Sequence, residues 1–392
     1  MKYQRIYADV SKSIFLLGPR GSGKSTFIRE VVKPDLSIDL LKSVDYRALN
    51  KNPSELEDMV AHLKPKAVVF IDEIQKIPEL LDEVHRLIEN KQLTFILTGS
   101  SARKLKKQGV NLLAGRALSR RMHPLSIKEI AEHRSLSEIL FRGTLPNALN
   151  LKTRDEVNDF LFSYVETYLK EEILQEGIVR SLNEFSQFIE LAGQYHGQIV
   201  NLENISREVG KSGDTIKSWF QILHDTLIGE YLEAYSLNVF PKESKHPKFY
   251  YFDPGVARAA EGIKNIDSFP EKNGFYFESL ILNELKVYKE VTRADFKIFF
   301  YNVPTLGDID FVIETKKKSL SSPSQIVTID VKLSKTWNTN FEKLPKLIAE
   351  KAPKQLKKSV AIYLGDRRLT KNNIEVYPLA DFISALWGGK IF

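Results

Sequence analysis

A segment of eight residues near the amino end combines three residue types that together bind phosphate. Gly18, Gly21 and Gly23 are small enough for successive backbone N–H groups to point inward at phosphate oxygens. Lys24 supplies a positive charge for the β and γ oxygens, and Ser25 supplies a hydroxyl for a magnesium ion. The predicted loop consists of Gly18, Pro19, Arg20, Gly21, Ser22, Gly23, Lys24 and Ser25, with Thr26 beside the α-phosphate. This pattern predicts a P-loop that binds ATP and Mg²⁺.

Two later segments add carboxylates and hydroxyls. The apolar run Val68–Ile71 ends in Asp72 and Glu73, which suits magnesium binding by Asp72 and polarisation of an attacking water by Glu73. A second apolar run ends in Thr98, with Ser100 two residues later, and either hydroxyl suits a sensor of the γ-phosphate. These residues predict hydrolysis as well as binding, and the alternative for each segment is an ordinary strand end.

Hydrolysis also requires a positive group near the charge that develops on the transferred phosphate. Four arginines after the sensor segment are candidates, and the residue pattern does not choose among them. They are Arg103, Arg116, Arg120 and Arg121.

The elements that must position these residues alternate between apolar strands and amphipathic helices over residues 1–125, as in parallel α/β units. A helix over Leu80–Glu89 is predicted from the leucine, valine and isoleucine side chains on one side. The candidate strands are Ile14–Leu17, Ser37–Asp39, Ala67–Ile71, Thr94–Leu97 and Ala117–Met122.

The chain from about Pro124 to Phe240 is predicted to be mostly helical. Two short helices within it, Leu202–Val209 and Asp214–Asp225, have the spacing of a helix-turn-helix, and Gly229–Tyr235 would begin a wing. Such a pair can contact DNA, or it can be two helices that only pack together.

The last region is predicted to begin with the aromatic strand Lys248–Asp253, followed by a helix over Phe275–Lys289. An exposed hairpin tip is predicted at Thr315–Ser324, which is rich in lysine, serine and proline. The remaining predicted strands are Lys297–Tyr301, Ile309–Glu314, Gln325–Lys332 and Ser359–Leu364.

Length and composition narrow the classes of protein. A chain of 392 residues should form two or three domains. Without cysteine it cannot form disulfides or cysteine-based metal sites, which suits a cytoplasmic protein. Its longest apolar runs fall short of the ~20 residues of a membrane helix, and no targeting peptide is expected. The net charge of +7 permits contact with nucleic acid and equally describes a lysine-rich surface.

The chain resembles the bacterial and archaeal predicted AAA+-type ATPases whose carboxy-terminal domain is catalogued as a domain of unknown function. The resemblance covers nearly the whole length, and it makes Arg116 the preferred arginine. Where the family often has Glu-Arg-Asp after Tyr-Leu, this chain has Lys170, Glu171 and Glu172. The motifs that carry the resemblance are Gly18–Ser25, Ile71–Gln75, Leu97–Ser101, Ala114–Arg116, Pro124–Ser126, Arg142-Gly143 with Leu145-Pro146, Phe252–Gly255, Gly307–Val312 and Ile329–Lys332.

The last two of these motifs contain a second set of chemical groups. A restriction-endonuclease-like site holds a metal between an acidic residue on one strand and an Asp-x-Lys on the next, often with a glutamate from the preceding helix. Here Glu278 is on the preceding helix, Asp310 is on one strand, and Asp330 and Lys332 are on the next. Asp310 and Asp330 are the expected metal ligands. The alternatives are cross-strand Asp–Lys contacts, or a nuclease-like fold without catalysis.

The expected architecture is α/β: an AAA+-like P-loop core with a parallel sheet in residues 1–125, a helical region with a winged-helix-like module in 126–245, and a nuclease-like α/β domain in 246–392. The expected function is ATP hydrolysis coupled to binding or processing of DNA, with self-association and no membrane partner. The alternative is a nucleotide-controlled switch that regulates protein partners. A DNA-binding regulator without catalysis is less consistent with Glu73, since binding alone does not need that carboxylate.

Overall fold

The computed structural model describes residues 3–7, 12–101, 116–130, 132–169, 182–268 and 270–392. Arg103, Ala114, Gly115 and the segment Lys170–Glu172 lie outside the described residues. Three sheets organise the rest of the chain, one of five strands, one of three and one of six.

The first sheet is entirely parallel, in the order β2-β3-β4-β1-β5. Because β4 lies between β1 and β3, the carboxyl ends of these three strands are neighbours at one edge of the sheet. Its strands are β1 (Ile14–Leu17), β2 (Leu36–Asp39), β3 (Val68–Asp72), β4 (Thr94–Gly99) and β5 (Leu118–Arg121), and its helices are α1 (Lys24–Phe27, continued by a π-helical turn over Ile28–Val32), α2 (Ser43–Lys51), α3 (Glu55–Met59) and α4 (Leu80–Lys91).

The central strands β1, β3 and β4 are apolar because their two faces contribute to two apolar clusters. All four residues of β1 are buried, and Val69, Phe70 and Ile71 in β3 are fully buried. The amphipathic helix α4 packs its leucine and valine side chains on the same core.

Short helices follow the first sheet, and a two-helix unit follows them. Asn201 and Ser212 cap the two helices of this unit, α10 and α11, and Gly210 ends α10 with a φ of +68°. The helices are α5 (Ile127–Ile130), α6 (Leu136–Arg142), α7 (Pro146–Asn150), α8 (Arg154–Ser163, continued by a π-helical turn over Tyr164–Leu169), α9 (Leu182–Gln194), α10 (Leu202–Val209) and α11 (Gly213–Asp225).

An antiparallel sheet of three strands packs beside α11, with Phe220 against Tyr231 and Phe249. It consists of β6 (Gln198–Ile199), β7 (Gly229–Leu232) and β8 (Lys248–Tyr251), with β8 in the middle. The sequence pattern placed Lys248–Asp253 at the start of the last region. In the structure this strand instead completes the sheet of the helix-turn-helix unit, because its partners are β6 and β7.

The last region is a mixed sheet of six strands in the order β13-β14-β12-β11-β10-β9, crossed by the 21-residue helix α13. The remaining elements are α12 (Pro254–Ala260), α13 (Lys272–Thr292), β9 (Lys297–Val303), β10 (Gly307–Lys316), β11 (Gln325–Val331), α14 (Lys343–Lys351), β12 (Leu356–Tyr363), β13 (Leu369–Lys371), β14 (Ile374–Pro378) and α15 (Leu379–Trp387), with single 3₁₀ turns at Ile74–Lys76, Ile266–Ser268 and Thr339–Glu342.

Helix α13 joins the regions through buried polar contacts as well as apolar packing. The amide of Asn283 donates to the carbonyl oxygen of Leu125 at 3.1 Å, and the carboxylate of Glu284 accepts from the amide of Ile127 at 2.5 Å. One apolar cluster extends from Leu125 through the middle helices to Ile391. The middle and last regions therefore share a core.

The fold confirms the expected class, α/β with an amino-terminal parallel sheet, a helical middle and a carboxy-terminal α/β region. The three domain limits stay a prediction. In the described part of the chain, every helix is too short or too polar to cross a membrane.

Candidate functional site

The loop after β1 has the shape that its glycines predict. A Cβ atom at Gly18 would lie 2.2 Å from the carbonyl oxygen of Met122, so only glycine allows this close approach to the end of β5. Gly21 and Gly23 have φ values of +78° and +93°, in the left-handed region that favours glycine. The loop therefore holds the turn of a P-loop directly before α1.

The polar groups of this loop fit a bound phosphate. The Lys24 side chain is buried, and its ammonium donates to the carbonyl oxygens of Gly18 and Pro19 at 2.7 and 3.1 Å. The buried hydroxyl of Ser22 has no hydrogen-bond partner among the described residues. The amino end of α1 and the charge of Lys24 both favour an anion at this position.

The polar ends of β3 and β4 meet beside the loop, as their adjacency requires. The hydroxyl of Thr98 donates to the carboxylate of Asp72 at 2.5 Å, and the hydroxyl of Ser100 donates to the carboxylate of Glu73 at 3.2 Å. The Gln75 amide donates to the same Glu73 carboxylate and to the Ser100 hydroxyl. Thr98 thus orients Asp72, and Ser100 with Gln75 orients Glu73.

The position of Ser25 in the loop and these contacts of Asp72 and Glu73 fit the roles expected from the sequence. Ser25 and Asp72 are the groups that would hold a magnesium ion, which supplies charge neutralisation on the phosphates when it is bound. Glu73 has a φ of 60°, a conformation that costs a non-glycine residue about 1 kcal/mol or more. That backbone turns its carboxylate toward Ser100, where it can orient a water for attack.

A segment of the middle region covers the loop. The hydroxyl of Tyr164 donates to the carbonyl oxygen of Arg20 at 2.9 Å. The side chain of Leu145 is at van der Waals distance from the Cβ position of Gly21, and that of Pro146 is at van der Waals distance from the Cβ position of Gly23. The Leu145-Pro146 motif therefore packs directly against the P-loop.

Asp253 holds this covering segment in place. Its fully buried carboxylate accepts from the amide and the hydroxyl of Thr144 at 2.6 and 2.8 Å, and it caps α12 by accepting from the amide of Val256 at 2.9 Å. A Cβ atom at Gly143 would lie 2.2 Å from the same carboxylate. The Arg142-Gly143 and Asp253-Pro254-Gly255 motifs are thus two halves of one contact.

The structure does not bring Arg116 to the nucleotide. Arg116 precedes β5, whose first residue Leu118 pairs with Ile14, so it lies at the amino edge of the parallel strands, opposite the P-loop. Its guanidinium pairs with Glu89 at 2.5 Å. Arg121 pairs in register with Leu17 at the carboxyl edge and is the arginine of β5 beside the loop.

We therefore predict that Arg116 acts on ATP only across an interface with a second copy of the chain. Arg116→Ala should then lower the rate of ATP hydrolysis but change the affinity for ATP only slightly. The rate per molecule of this variant should not depend on protein concentration. The measurements are steady-state hydrolysis over a range of protein concentrations and light scattering with and without ATP. A wild-type monomer with full activity would remove this role from Arg116.

The four residues predicted as a nuclease centre lie together. The register of β10 with β11, in which Phe311 pairs with Ile329, brings Asp310 beside Asp330. The ammonium of Lys332 lies 2.7 Å from Asp330 and 3.9 Å from Asp310. Glu278 on α13 completes the group, and all three carboxylates are at most 6 % exposed.

Lys248 of β8, which the sequence pattern did not single out, occupies the centre of this group. Its ammonium lies 2.9 Å from Glu278, 3.2 Å from Asp308 and 4.0 Å from Asp310. The hydroxyl of Tyr250, two residues along the same strand, donates to Glu278. Lys248 precedes three consecutive aromatic residues in a buried strand, and a buried lysine requires a carboxylate partner, which is the sequence signal for this contact.

The charges of this cluster shift one another. Burial alone would lower the pKa of Lys248, but the neighbouring carboxylates of Glu278 and Asp310 raise it above its usual value. Burial raises the pKa of Glu278. Burial beside Asp310 raises the pKa of Asp330, whereas Lys332 and Lys248 hold that of Asp310 below its usual value despite its burial.

These carboxylates do not fit a metal ion in this arrangement. Among the described residues, no three carboxylate or histidine side chains are grouped as metal ligands. The carboxylates of Glu278, Asp308 and Asp310 surround an ammonium group instead. Lys248 thus occupies the position between these carboxylates.

The parallel sheet and the glycine-rich loop after β1 have the features of a P-loop domain. Residues 10–131 match the family model of the AAA domain. Residues 133–267 match a domain of unknown function, DUF8612, and residues 273–382 match another, DUF4143. The chain therefore consists of an AAA-type ATPase domain followed by two domains of unknown function.

Similar proteins include chains from bacteria and archaea. An uncharacterized protein of Mycobacterium tuberculosis is 22% identical over 385 residues, which cover 96% of this chain and 80% of that protein. An uncharacterized protein of Methanocaldococcus jannaschii is 23% identical over 339 residues, which cover 78% of this chain and 73% of that protein. Among solved structures, the Aeropyrum pernix ORC1 protein in complex with DNA matches 68% of this chain and 89% of its own chain, with 11% identity and a TM-score of 0.31.

Proposed function

We propose that this protein hydrolyses ATP at the P-loop and uses the state of the nucleotide to control DNA binding by the helix-turn-helix unit. The observation that carries the proposal is a cavity lined both by the P-loop and by the end of α11. Gly18 and Pro19 of the P-loop line one side, and His224 and Leu227 at the end of α11 line another. A nucleotide at the loop therefore acts beside the helix that would enter a DNA groove.

The exposed side of α11 has the chemistry of a groove-binding helix. Its buried side chains are apolar, among them Ile216, Trp219 and Phe220. Its exposed side presents a cation with hydroxyl and amide groups, which can contact phosphates and base edges. The exposed residues are Asp214, Lys217, Ser218, Gln221 and His224.

Two other lysine positions are candidates for contacts with phosphate. Lys211 bonds to the carboxylate of Glu184 at 2.6 Å, so that it would have to leave this partner to bind DNA. The lysines at 316–318 are exposed at the hairpin tip between β10 and β11. Lys217 is the cation of α11 itself, and it is therefore the most direct test.

Lys217→Ala should reduce the slope of log K against log salt by about one unit, because one phosphate contact is lost. The measurement is DNA affinity across salt concentrations, with and without ATP. The matched control is Lys64→Ala, an exposed lysine of the first region, which should leave the slope unchanged.

ATP should change the affinity of the wild type for DNA, and Lys24→Ala should require about 10- to 100-fold more ATP for the same change. Weak DNA binding with a shallow salt slope in every condition would contradict the proposal. It would favour the alternative, a nucleotide-controlled switch that regulates protein partners through the same cavity. Cleavage of DNA by the last region stays a prediction, and the contacts of Lys248 disfavour it in this state.

A further inference from the structure

We propose that Lys248 is a tethered cation that takes the place of a divalent metal in the carboxylate cluster of the last region, and so locks the helix-turn-helix unit to that region. The proposal concerns a different site from the nucleotide pocket. It goes beyond the control of DNA binding by ATP.

The first step is the direction of the side chains on β8. Residues alternate across a strand, so Lys248 and Tyr250 point to one face and Phe249 and Tyr251 to the other. The ring of Phe249 packs against Phe220 of α11 at a centroid distance of 4.9 Å. One face of β8 thus belongs to the core of the helix-turn-helix unit, and the other reaches the carboxylate cluster.

The second step is the position of the ammonium. It is 3 % exposed and lies between a carboxylate on α13 and two on β10. Its nearest oxygens, on Glu278 and Asp308, are 2.9 and 3.2 Å away, which are hydrogen-bond distances. Magnesium binds oxygen at about 2.1 Å, so a metal at this point would require both the departure of Lys248 and a closing of the carboxylates.

The third step is the balance of charge. The four carboxylates of Glu278, Asp308, Asp310 and Asp330 face two ammonium groups, those of Lys248 and Lys332. Buried charges persist only with partners. Removal of Lys248 leaves a single ammonium group for four carboxylates on α13, β10 and β11, and this larger excess of negative charge is what a hard divalent cation binds.

The position of Lys248 also couples the carboxylate cluster to movement of the sheet that contains β8. Because Lys248 belongs to the middle strand of the helix-turn-helix sheet, any movement of that sheet away from α13 withdraws the ammonium from the cluster. The carboxylates become available to a metal only in such a state. With Lys248 in place, the cluster is a contact between two regions.

The test is Mn²⁺ binding by nucleotide-free protein, followed by electron paramagnetic resonance of free Mn²⁺. The wild type and Asp310→Asn should bind the same amount of Mn²⁺, because the cluster binds none while Lys248 is present. Lys248→Met should gain a Mn²⁺ site and a higher unfolding temperature with Mn²⁺, and the additional change Asp310→Asn should remove both. Any binding by the P-loop is common to all of these proteins and cancels in the comparison.

Lys332→Met is the matched control, because it removes a lysine of the same cluster and retains Lys248; it should gain no site. If Lys248→Met folds only in the presence of Mn²⁺, the result supports the proposal. If it folds neither with nor without Mn²⁺, the same measurements are made on Lys248→Gln, with the same expected results. An Asp310-dependent Mn²⁺ site in the wild type would overturn the proposal. So would a folded Lys248 variant that binds no Mn²⁺.

Discussion

Glu73→Gln should bind ATP as the wild type does and hydrolyse it at least about 10²-fold more slowly. Glutamine keeps the size of the side chain and can still accept from the hydroxyl of Ser100. It lacks the negative charge that orients and polarises the attacking water, a contribution made chiefly in the transition state. The measurements are ATP affinity by calorimetry and single-turnover hydrolysis.

The control for this variant is Lys24→Ala, which should fail at the earlier step. The ammonium of Lys24 contacts the nucleotide in the ground state, so that its loss should weaken ATP binding by about 10- to 100-fold, as expected for a hydrogen bond to a charged group. Glu73→Gln that turns over ATP at the wild-type rate would remove Glu73 from its proposed role.

Asp253→Ala should lower the free energy of unfolding by about 3 kcal/mol. The loss combines an N-cap, worth about 1 kcal/mol, with the buried donors of Thr144 left without an acceptor, at about 1–3 kcal/mol. The measurement is the urea midpoint together with ATP affinity, which should fall because the segment that Asp253 holds lies on the P-loop.

Ser135→Ala is the matched control for Asp253→Ala. Ser135 caps α6 by accepting from the amide of Glu138, but this cap is exposed, so its removal should cost about 1 kcal/mol or less. Equal losses for the two variants would show that Asp253 is an ordinary cap and that the contact with Thr144 contributes nothing.

The P-loop could be predicted because its chemistry is contiguous in the chain. The glycines, Lys24 and Ser25 are neighbours, and the turn that they require is the one that the structure has. The contacts of Asp72 with Thr98 and of Glu73 with Ser100 required one further step, since they depend on β4 lying beside β3. The polar ends of parallel strands made that step foreseeable.

The positions of Arg116 and Lys248 in the fold depend on which strands pair with each other. The neighbouring residues in the sequence do not show this, so neither position could be predicted in the same way. The family resemblance favoured Arg116, but the parallel pairing of β5 with β1 puts a residue that precedes β5 at the far edge of the sheet. Lys248 was placed with the wrong sheet, because an aromatic strand does not show which strands it will pair with. Its partners lie 30 and more residues away on α13 and β10.

The middle position of β8 has a consequence for how this protein can be divided or inherited. A gene fragment that stops at residue 245 would encode a protein without the strand that joins β6 to β7. Fusing residues 1–245 to a foreign tail would transfer an incomplete module, with the aromatic core beneath α11 open to water. Recombination at that point would therefore be selected against, so residues 198–251 should be inherited as one block.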